Sequence, residues 1–418
     1  MNDQKPPIVF LCPVIPSFTG NGLAMRAARN LQALAGDFTV HLLVVAMYGG
    51  QEGTPDADLL EYCAGWKRIL APVNSAMRHG WSWRNLLRWG AGRLPVEWNG
   101  WNADNNREAV SYFAATNCVR LWVFRFYLLP WARDWLDGGG KAWLDIDELE
   151  SKAHRSRAEL TLQAGEPGQA AMLREEAEKY RALEAEHLRR FEQIFAASAL
   201  EAVHIGATAG PLTVETWPNV VAPPAENQSL VSRPEDRTWR LLFIGSIGYF
   251  PNREAVRFAA REILPRLQSL IPVRVVLTVA GAGADVHRNS FEDLPDLDWL
   301  GTVPDVTPVY ARAHMVLVPL RAGGGTRIKI LEAFAHCIPV VSTRIGAEGL
   351  DVVHDRELLL ADGPAEIAEA CRDLYLDPVK RRRLVAAARD YVTTRHAPAN
   401  LSLLAESLRR RLGNPRAG

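Results

Sequence analysis

The residues with the clearest chemical potential lie in one stretch of the chain, from Pro319 to Ser342. Three consecutive glycines, Gly323, Gly324 and Gly325, separate an apolar run from a segment with helical spacing. A helix that begins there presents unpaired backbone N–H groups and the positive end of its dipole. Arg327 and Lys329 add two cations. The combination predicts an anion site, most naturally for a phosphate.

Glu332 is the unusual member of this group, because a carboxylate repels a phosphate. Its presence fits a ligand that also carries hydroxyl groups, such as the ribose of a nucleotide. The simpler alternatives are that Glu332 pairs with a neighbouring cation on a solvated surface and that the glycines form only a flexible turn. We assign Glu332, the three glycines and Thr326 to binding of the pyrophosphate and ribose of a nucleotide.

The elements that position these residues are a strand at 315–319, a helix from about 326 to 336 and a second strand at 339–343. The same alternation of apolar strands and amphipathic helices runs along the chain, which indicates an α/β protein with parallel sheets. We expect two doubly wound, Rossmann-like domains that face each other across a cleft, with ligands beyond the carboxyl ends of the strands.

The domain boundaries follow from changes in composition. We predict a first domain over 1–220, a Pro-, Glu- and Ser-rich linker over 221–238 and a second domain over 239–395. Residues 396–418 form a basic helix that we expect to cross back to the first domain. From Val379 onward, ten lysines and arginines stand against two acids, which indicates either a solvated helical surface or attraction to anionic lipid.

Composition is that of a soluble globular protein, with 418 residues, 48% hydrophobic residues and 23% charged residues. The formal net charge is zero, so no general affinity for nucleic acid is implied. Five scattered cysteines without a C-x-x-C pair favour a reducing compartment and argue against a zinc site. No apolar leader or spanning segment is evident, and we interpret the chain as cytoplasmic.

Ten of the thirteen tryptophans precede residue 150, and the segment 78–89 mixes tryptophan, leucine and arginine. Such a segment suits peripheral contact with the inner face of a membrane or stacking on sugars. Packing under a loop is the alternative.

The motif Glu332-Ala-Phe-Ala-x-x-x-Pro-Val-Val-Ser342 resembles the family 4 glycosyltransferases, which have the GT-B fold and transfer sugar from a nucleotide donor with retention. Segments at 243–246, 279–283, 301–303 and 346–349 support the resemblance, as do Arg26, 144–147 and 218–219 in the first half. It implies that the second domain binds the donor and the first domain binds the acceptor. It also implies a metal-independent enzyme without a cofactor, with a UDP-sugar as the default donor.

The chain departs from the family pattern at two places. The first of two glutamates eight positions apart would fall at Gly324, and the Arg and Lys that usually follow the first strand of the second domain correspond to Ser246 and about Asn252. We predict that Arg327 and Lys329 supply the missing positive charge and stabilise the departing diphosphate.

The resemblance implies further contacts. The donor nucleotide would also meet Gly245, Ser246, Thr302, Val303 and the turn Gly20-Asn21-Gly22. Asp147 ends a predicted strand that should point into the cleft, and we take it as an acceptor-side contact and, with Arg327 and Lys329, as a catalytic candidate. Arg125 and Tyr127 are our acceptor-binding candidates. For Arg125, a structural ion pair is the alternative to binding a phosphate or carboxylate of the acceptor.

We therefore expect a retaining glycosyltransferase, hexosyltransferase-like, that acts on a glycan, lipid-linked or other acceptor hydroxyl in polysaccharide biosynthesis. Two other classes stay open: a sugar-nucleotide epimerase of similar architecture and a non-catalytic nucleotide-sugar-binding protein. A NAD-dependent enzyme is disfavoured, because Gly281-x-Gly283 lacks the third glycine of a dinucleotide fingerprint.

Overall fold

A computed structural model describes residues 4–47, 53–71, 94–210, 212–224, 238–283, 291, 296–325 and 327–413. The tryptophan-rich segment 78–89, most of the predicted linker and Thr326 lie outside the described residues. Among the described helices, none combines the length and the apolar character needed to cross a membrane.

The chain divides into two compact units. The first comprises residues 1–18, 23–218 and 401–418, and the second comprises residues 19–22 and 219–400. The short turn with Gly20, Asn21 and Gly22 is thus grouped with the second unit, and the second unit extends to Asn400. The last helix begins in the second unit and contributes most of its length to the first.

The first unit contains a seven-stranded parallel sheet in the order β3-β2-β1-β4-β5-β6-β7. The strands are β1 (Pro7–Cys12), β2 (Thr39–Ala46), β3 (Gly65–Leu70), β4 (Arg120–Phe124), β5 (Ala142–Ile146), β6 (Gln193–Ala196) and β7 (Val214–Thr216). The helices are α1 (Gly22–Ala35), α2 (Ala57–Leu60), α3 (Ala103–Ala115), α4 (Leu129–Asp137), α5 (Glu150–Gln163), α6 (Pro167–His187) and α7 (Ala199–Ala209).

The central strands of this sheet are apolar on both faces and fully buried, as expected of parallel strands covered by helices. One polar network crosses this core. Asp145 accepts hydrogen bonds from Arg26 Nη2 at 2.5 Å and Asn30 Nδ2 at 2.5 Å, and Asn30 Oδ1 accepts from Trp217 Nε1 at 2.9 Å. Asp145 at the end of β5 thereby fixes helix α1 and residue 217 to the sheet.

The second unit contains a six-stranded parallel sheet in the order β10-β9-β8-β11-β12-β13. The strands are β8 (Thr238–Ile244), β9 (Arg274–Ala280), β10 (Leu297–Gly301), β11 (Met315–Val318), β12 (Val340–Ser342) and β13 (Leu359–Leu360). The helices are α8 (Phe250–Phe258), α9 (Leu264–Leu270), α10 (Thr307–Arg312), α11 (Ile328–Ala335), α12 (Pro364–Leu376), α13 (Pro378–Arg395) and, shared with the first unit, α14 (Pro398–Gly413).

The order reverses between β1 and β4 in one sheet and between β8 and β11 in the other. In open parallel sheets, ligands bind outside the carboxyl ends of the strands at such a switch point. In the second unit, the segments that leave this edge are the loop after β8 and the glycine loop between β11 and α11. The predicted anion-binding residues occupy these segments.

Candidate active site

Backbone groups build the base of the site at the carboxyl ends of β8, β9 and β10. Gly245 N donates to Ala280 O at 2.9 Å, and Gly281 N donates to Gly301 O at 2.7 Å. A Cβ atom at Gly281 would lie 2.2 Å from Gly245 O, so a side chain cannot be accommodated there. Gly281 also has a φ of +145°, which other residues rarely adopt. The glycine at position 281 therefore allows the loop after β9 to contact the loop after β8.

Lys329 reaches from the first turn of α11 to the start of helix α8, which follows β8. Its Nζ donates to Asn252 Oδ1 at 3.0 Å and lies 4.3 Å from the centre of the Phe243 ring. Asn252 is itself held by a bond from Nδ2 to Ser246 O at 2.9 Å. An ammonium group thus stands beside Ser246 and Asn252, where the sequence lacks the positive charges usual in the family.

Burial lowers the pKa of Lys329 to about 7, and the charge of Arg327 acts in the same direction. The carboxylate of Glu332 opposes both effects. An ammonium with such a pKa is poorly solvated and gains most from an anion placed beside it. The geometry and the pKa both make Lys329 a suitable phosphate ligand.

Arg327 lies against the glycine loop. Its Nη1 donates to Gly324 O, and a Cβ atom at Gly323 would lie 3.0 Å from its Nη2. Its Nε and Nη2 are shielded from solvent and have no hydrogen-bond partner among the described residues. Buried donors without partners cost free energy, so an acceptor such as a phosphate oxygen that reaches these two nitrogens would be bound favourably.

The helix itself begins at Ile328, two residues later than predicted, because Arg327 has the extended φ and ψ of −81° and 91°. Arg327 is therefore the capping residue. Lys329 belongs to the first turn of α11, where backbone N–H groups lack intrahelical partners. Thr326 lies outside the described residues, so its predicted role stays a prediction.

Glu332 faces the same region from the second turn of α11. Tyr310 Oη donates to Glu332 Oε2 at 3.1 Å, and the Tyr310 ring stacks on His336 with centroids 4.6 Å apart. Burial raises the pKa of Glu332 to about 7, while the bond from Tyr310 and the charge of Lys329 lower it. No described residue donates a hydrogen bond to Oε1 of Glu332, so this oxygen can accept from a ligand. Sequence reasoning missed Tyr310, since it lies on a different helix and 22 positions away.

The remaining donor-side predictions lie at the same edge of the sheet. Gly245 and Ser246 directly follow β8, and Ser246 is half-buried. Thr302 and Val303 directly follow β10, with Thr302 exposed. Their binding roles stay predictions.

In the first unit, Arg125 is enclosed by acids. Its Nη2 and Nε donate to Glu150 Oε1 at 2.6 and 3.0 Å, and Asp147 Oδ2 lies 3.6 Å from its Nη1. The structure thus places Arg125 in the ion pair that stood as the alternative to acceptor binding. Glu150, the main partner, was not among the predicted residues. Tyr127 is buried beside this pair, its ring centre 5.4 Å from the guanidinium, and burial raises the pKa of its phenol.

Glu97, His154 and Glu176 form a further polar cluster in the first unit, with their ligating atoms within 4.8 Å of one another. Each acid already accepts hydrogen bonds from the protein. Glu176 accepts from Lys179 Nζ and Val96 N at 2.9 Å each, and Glu97 accepts from Tyr180 at 2.8 Å. The cluster is an internal network that joins the short 3-10 helix containing Glu97 to α5 and α6.

Residues 238–377 match the family model Glycosyl transferases group 1, and they contain β8 to β13 and the donor-side candidates of the second sheet. The second unit carries a glycosyl transferases group 1 domain. The prediction of a glycosyltransferase is thereby confirmed. None of the curated proteins matches the sequence.

Solved structures show that the fold is GT-B, as predicted. Sucrose-phosphate synthase from Thermosynechococcus elongatus has a TM-score of 0.67 at 15% identity, over 98% of this chain and 99% of that chain. HepE from Anabaena, in complex with UDP and glucose, has a TM-score of 0.65 at 14% identity, over 96% and 99%. The trehalose-6-phosphate protein from E. coli, bound with UDP-2-fluoro glucose, has a TM-score of 0.67 at 13% identity, over 97% and 99%.

Proposed function

We propose that this glycosyltransferase transfers a sugar from a nucleotide-diphosphate donor to an acceptor hydroxyl with retention of configuration. The nucleotide would bind at the carboxyl ends of β8 and β11. The observation that carries the proposal is the pair of cations at the start of α11. Lys329 Nζ stands 3.0 Å from Asn252 Oδ1, and Nε and Nη2 of Arg327 have no partner among the described residues.

These groups match the chemistry of the reaction. Cleavage of the sugar–phosphate bond leaves negative charge on the diphosphate, and fixed cations and N–H groups stabilise that charge as it develops. Glu332, three residues after Lys329 on the same side of α11, can accept from ribose hydroxyls. The site therefore needs no additional glutamate at position 324 to hold the nucleotide. The donor sugar would then lack the contact with a carboxylate at that position.

A UDP-sugar is the proposed donor, because two of the similar structures hold UDP or a UDP-sugar analogue. The proposed acceptor is a glycan or lipid-linked hydroxyl bound by the first unit. With Arg125 engaged by Glu150, we propose that Asp147 contributes to the acceptor side. The cytoplasmic location and the independence from metal ions stay predictions.

The decisive measurement is UDP binding by titration calorimetry with the Arg327→Ala variant. Charge-assisted hydrogen bonds contribute about 1.5–3 kcal/mol, so we expect the affinity to fall about ten- to a hundredfold. Arg344→Ala is the matched control, since Arg344 is exposed and pairs with the exposed Asp362. Unchanged UDP affinity in Arg327→Ala would contradict the proposed site.

Catalysis is tested separately by following release of UDP from a UDP-sugar with and without an acceptor. Release that depends on the acceptor supports transfer. Conversion of the nucleotide sugar without an acceptor would indicate an epimerase, and tight binding without turnover would indicate a binding protein.

A further inference from the structure

A groove of about 720 Å³ lies in the second unit between helix α13 and the turn that joins α11 to β12. Pro339 in that turn precedes β12, so the groove lies at the amino end of this strand, whereas the candidate active site lies beyond the carboxyl ends. The lining residues are Cys337, Pro339, Arg381, Arg382, Val385, Ala386, Arg389, Asp390 and Thr393. Its volume is in the range of small-molecule sites.

The groove contains basic side chains without acidic partners, whereas most basic side chains in the carboxyl-terminal region are paired with acids. Most of the described basic side chains there are neutralised: Lys380 and Arg383 by Asp355, Arg395 by Asp351, Arg409 by Asp37, Arg410 by Glu406 and Arg411 by Glu215. Arg382 and Arg389 make no ion pair or side-chain hydrogen bond with the described residues. Both line the groove.

Helix geometry places these two arginines on one face. They are seven residues apart, which is about 10 Å along the axis, with Val385 and Ala386 between them. Small side chains between the arginines leave room for a ligand, and two guanidinium groups can converge on it from both ends. Arg381, held by Leu374 O at 2.6 Å, adds a third positive charge, and Asp390 is the only carboxylate among the lining residues.

We propose that this groove is a second anion site, for a phosphorylated small molecule, separate from the nucleotide site. Guanidinium groups bind phosphate oxygens in a bidentate manner, which selects phosphate over a simple halide. A membrane surface is the less suitable ligand. Among the described residues of this region, only Arg382 and Arg389 lack both an ion pair and a side-chain hydrogen bond, and a basic residue near an anionic bilayer contributes about 1 kcal/mol.

The test is a calorimetric titration with inorganic pyrophosphate in the presence of saturating UDP, which occupies the nucleotide site. We expect one remaining site, and the Arg382→Gln/Arg389→Gln variant should bind pyrophosphate at least tenfold more weakly. The matched control is Arg383→Gln/Arg410→Gln, which removes the same charge from paired arginines outside the groove. Both substituted pairs are exposed, and thermal unfolding would verify that each variant is folded.

Three results would overturn the second site. One is the absence of pyrophosphate binding when UDP is present. Another is an equal loss in both double variants, which would indicate general electrostatic attraction. The last is binding only to phosphatidylglycerol vesicles, with no binding of pyrophosphate. The Arg327→Ala variant distinguishes failure of the groove site from failure of the nucleotide site. This variant should lose UDP affinity but keep the pyrophosphate site in the groove.

Discussion

Tyr310 and Glu332 form a hydrogen bond between a buried phenol and a half-buried carboxylate. The phenol of Tyr310 is fully buried, and burial and the neighbouring Glu332 hold its pKa well above the ordinary value. It therefore donates to Glu332 at every pH relevant to the enzyme. This bond fixes one carboxylate oxygen and favours the ionised form of Glu332, which is the form that accepts hydrogen bonds from ribose hydroxyls.

The Tyr310→Phe substitution should shift the pH dependence of UDP binding. Without the phenol, the pKa of Glu332 rises above about 7, so a larger fraction of the carboxyl is protonated at pH 7.5 and it accepts fewer hydrogen bonds. The loss of one bond, about 0.5–1.5 kcal/mol, predicts UDP binding about two- to tenfold weaker at that pH. The affinity should recover toward the wild-type value as the pH rises through the new pKa.

Two comparisons isolate this effect. Lys329, with a pKa of about 7, titrates in the same range. Its pKa depends on the charge of Glu332, so protonation of Glu332 also lowers the pKa of Lys329, and both changes weaken UDP binding near pH 7.5. Inorganic pyrophosphate lacks the ribose, so in a background that carries Arg382→Gln/Arg389→Gln its binding should change less than UDP binding on the Tyr310→Phe substitution. A ratio of UDP affinities that is constant from pH 6 to pH 9 would show that Tyr310 acts only in packing.

At the scale of elements, the glycine loops that end β8 and β9 determine whether the site can form. Gly281→Ala would place a Cβ atom 2.2 Å from Gly245 O, a contact with backbone that only a shift of one loop can relieve. We expect a loss of about 1–3 kcal/mol in stability, the usual cost of overpacking, together with weaker UDP binding because Gly245 must move. Thermal unfolding and calorimetry would measure the two effects.

The control for this substitution is Gly206→Ala, in helix α7 of the first unit. A Cβ atom there meets no atom within 4 Å, and alanine has the higher helix propensity. We expect unchanged or slightly increased stability and unchanged UDP affinity. Normal stability and affinity in Gly281→Ala would mean that the loops are not held together as the structure indicates.

Strands and helices could be predicted from the sequence where a run of apolar residues, or a helical spacing of apolar residues, continues over many positions. Strands β11 and β12 lie within the predicted ranges 315–319 and 339–343. Strand β7 was missed, because its three residues Val214–Thr216 include a glutamate and a threonine and carry no apolar run. Helix α4 was also missed, and its Leu129-Pro130 start follows β4 with only a short 3-10 turn between them.

The site could be predicted only in part. The glycines and Arg327, Lys329 and Glu332 lie within ten positions, so a local pattern reveals them. The contact of Lys329 with Asn252 joins residues 77 positions apart and depends on β8 and β11 being neighbours in the sheet. Likewise, Arg125 meets Glu150 only because β4 lies beside β5. Sequence patterns do not fix such contacts.

At the scale of the whole chain, the first unit is assembled from both termini. Helix α14 contributes Leu401, Ala405 and Leu408 to the buried interior, and these residues lie on one helical stripe. Arg411 of the same helix pairs with Glu215 in the edge strand β7. Burying two leucine side chains contributes about 3–6 kcal/mol, which is a large share of the stability of a typical domain.

We therefore expect a chain that ends at Asn400 to lose stability mainly in its first unit. Eleven of the thirteen tryptophans belong to this unit, so tryptophan fluorescence in a urea titration reports its unfolding, and the midpoint should fall. A chain that ends at Gly413 keeps the helix and should unfold like the full chain. UDP binding by the second unit should survive the larger deletion, because β8 to β13 and α11 remain intact. An unchanged fluorescence midpoint for the chain ending at Asn400 would show that α14 adds nothing to the first unit, and that its burial does not reflect a stabilising role.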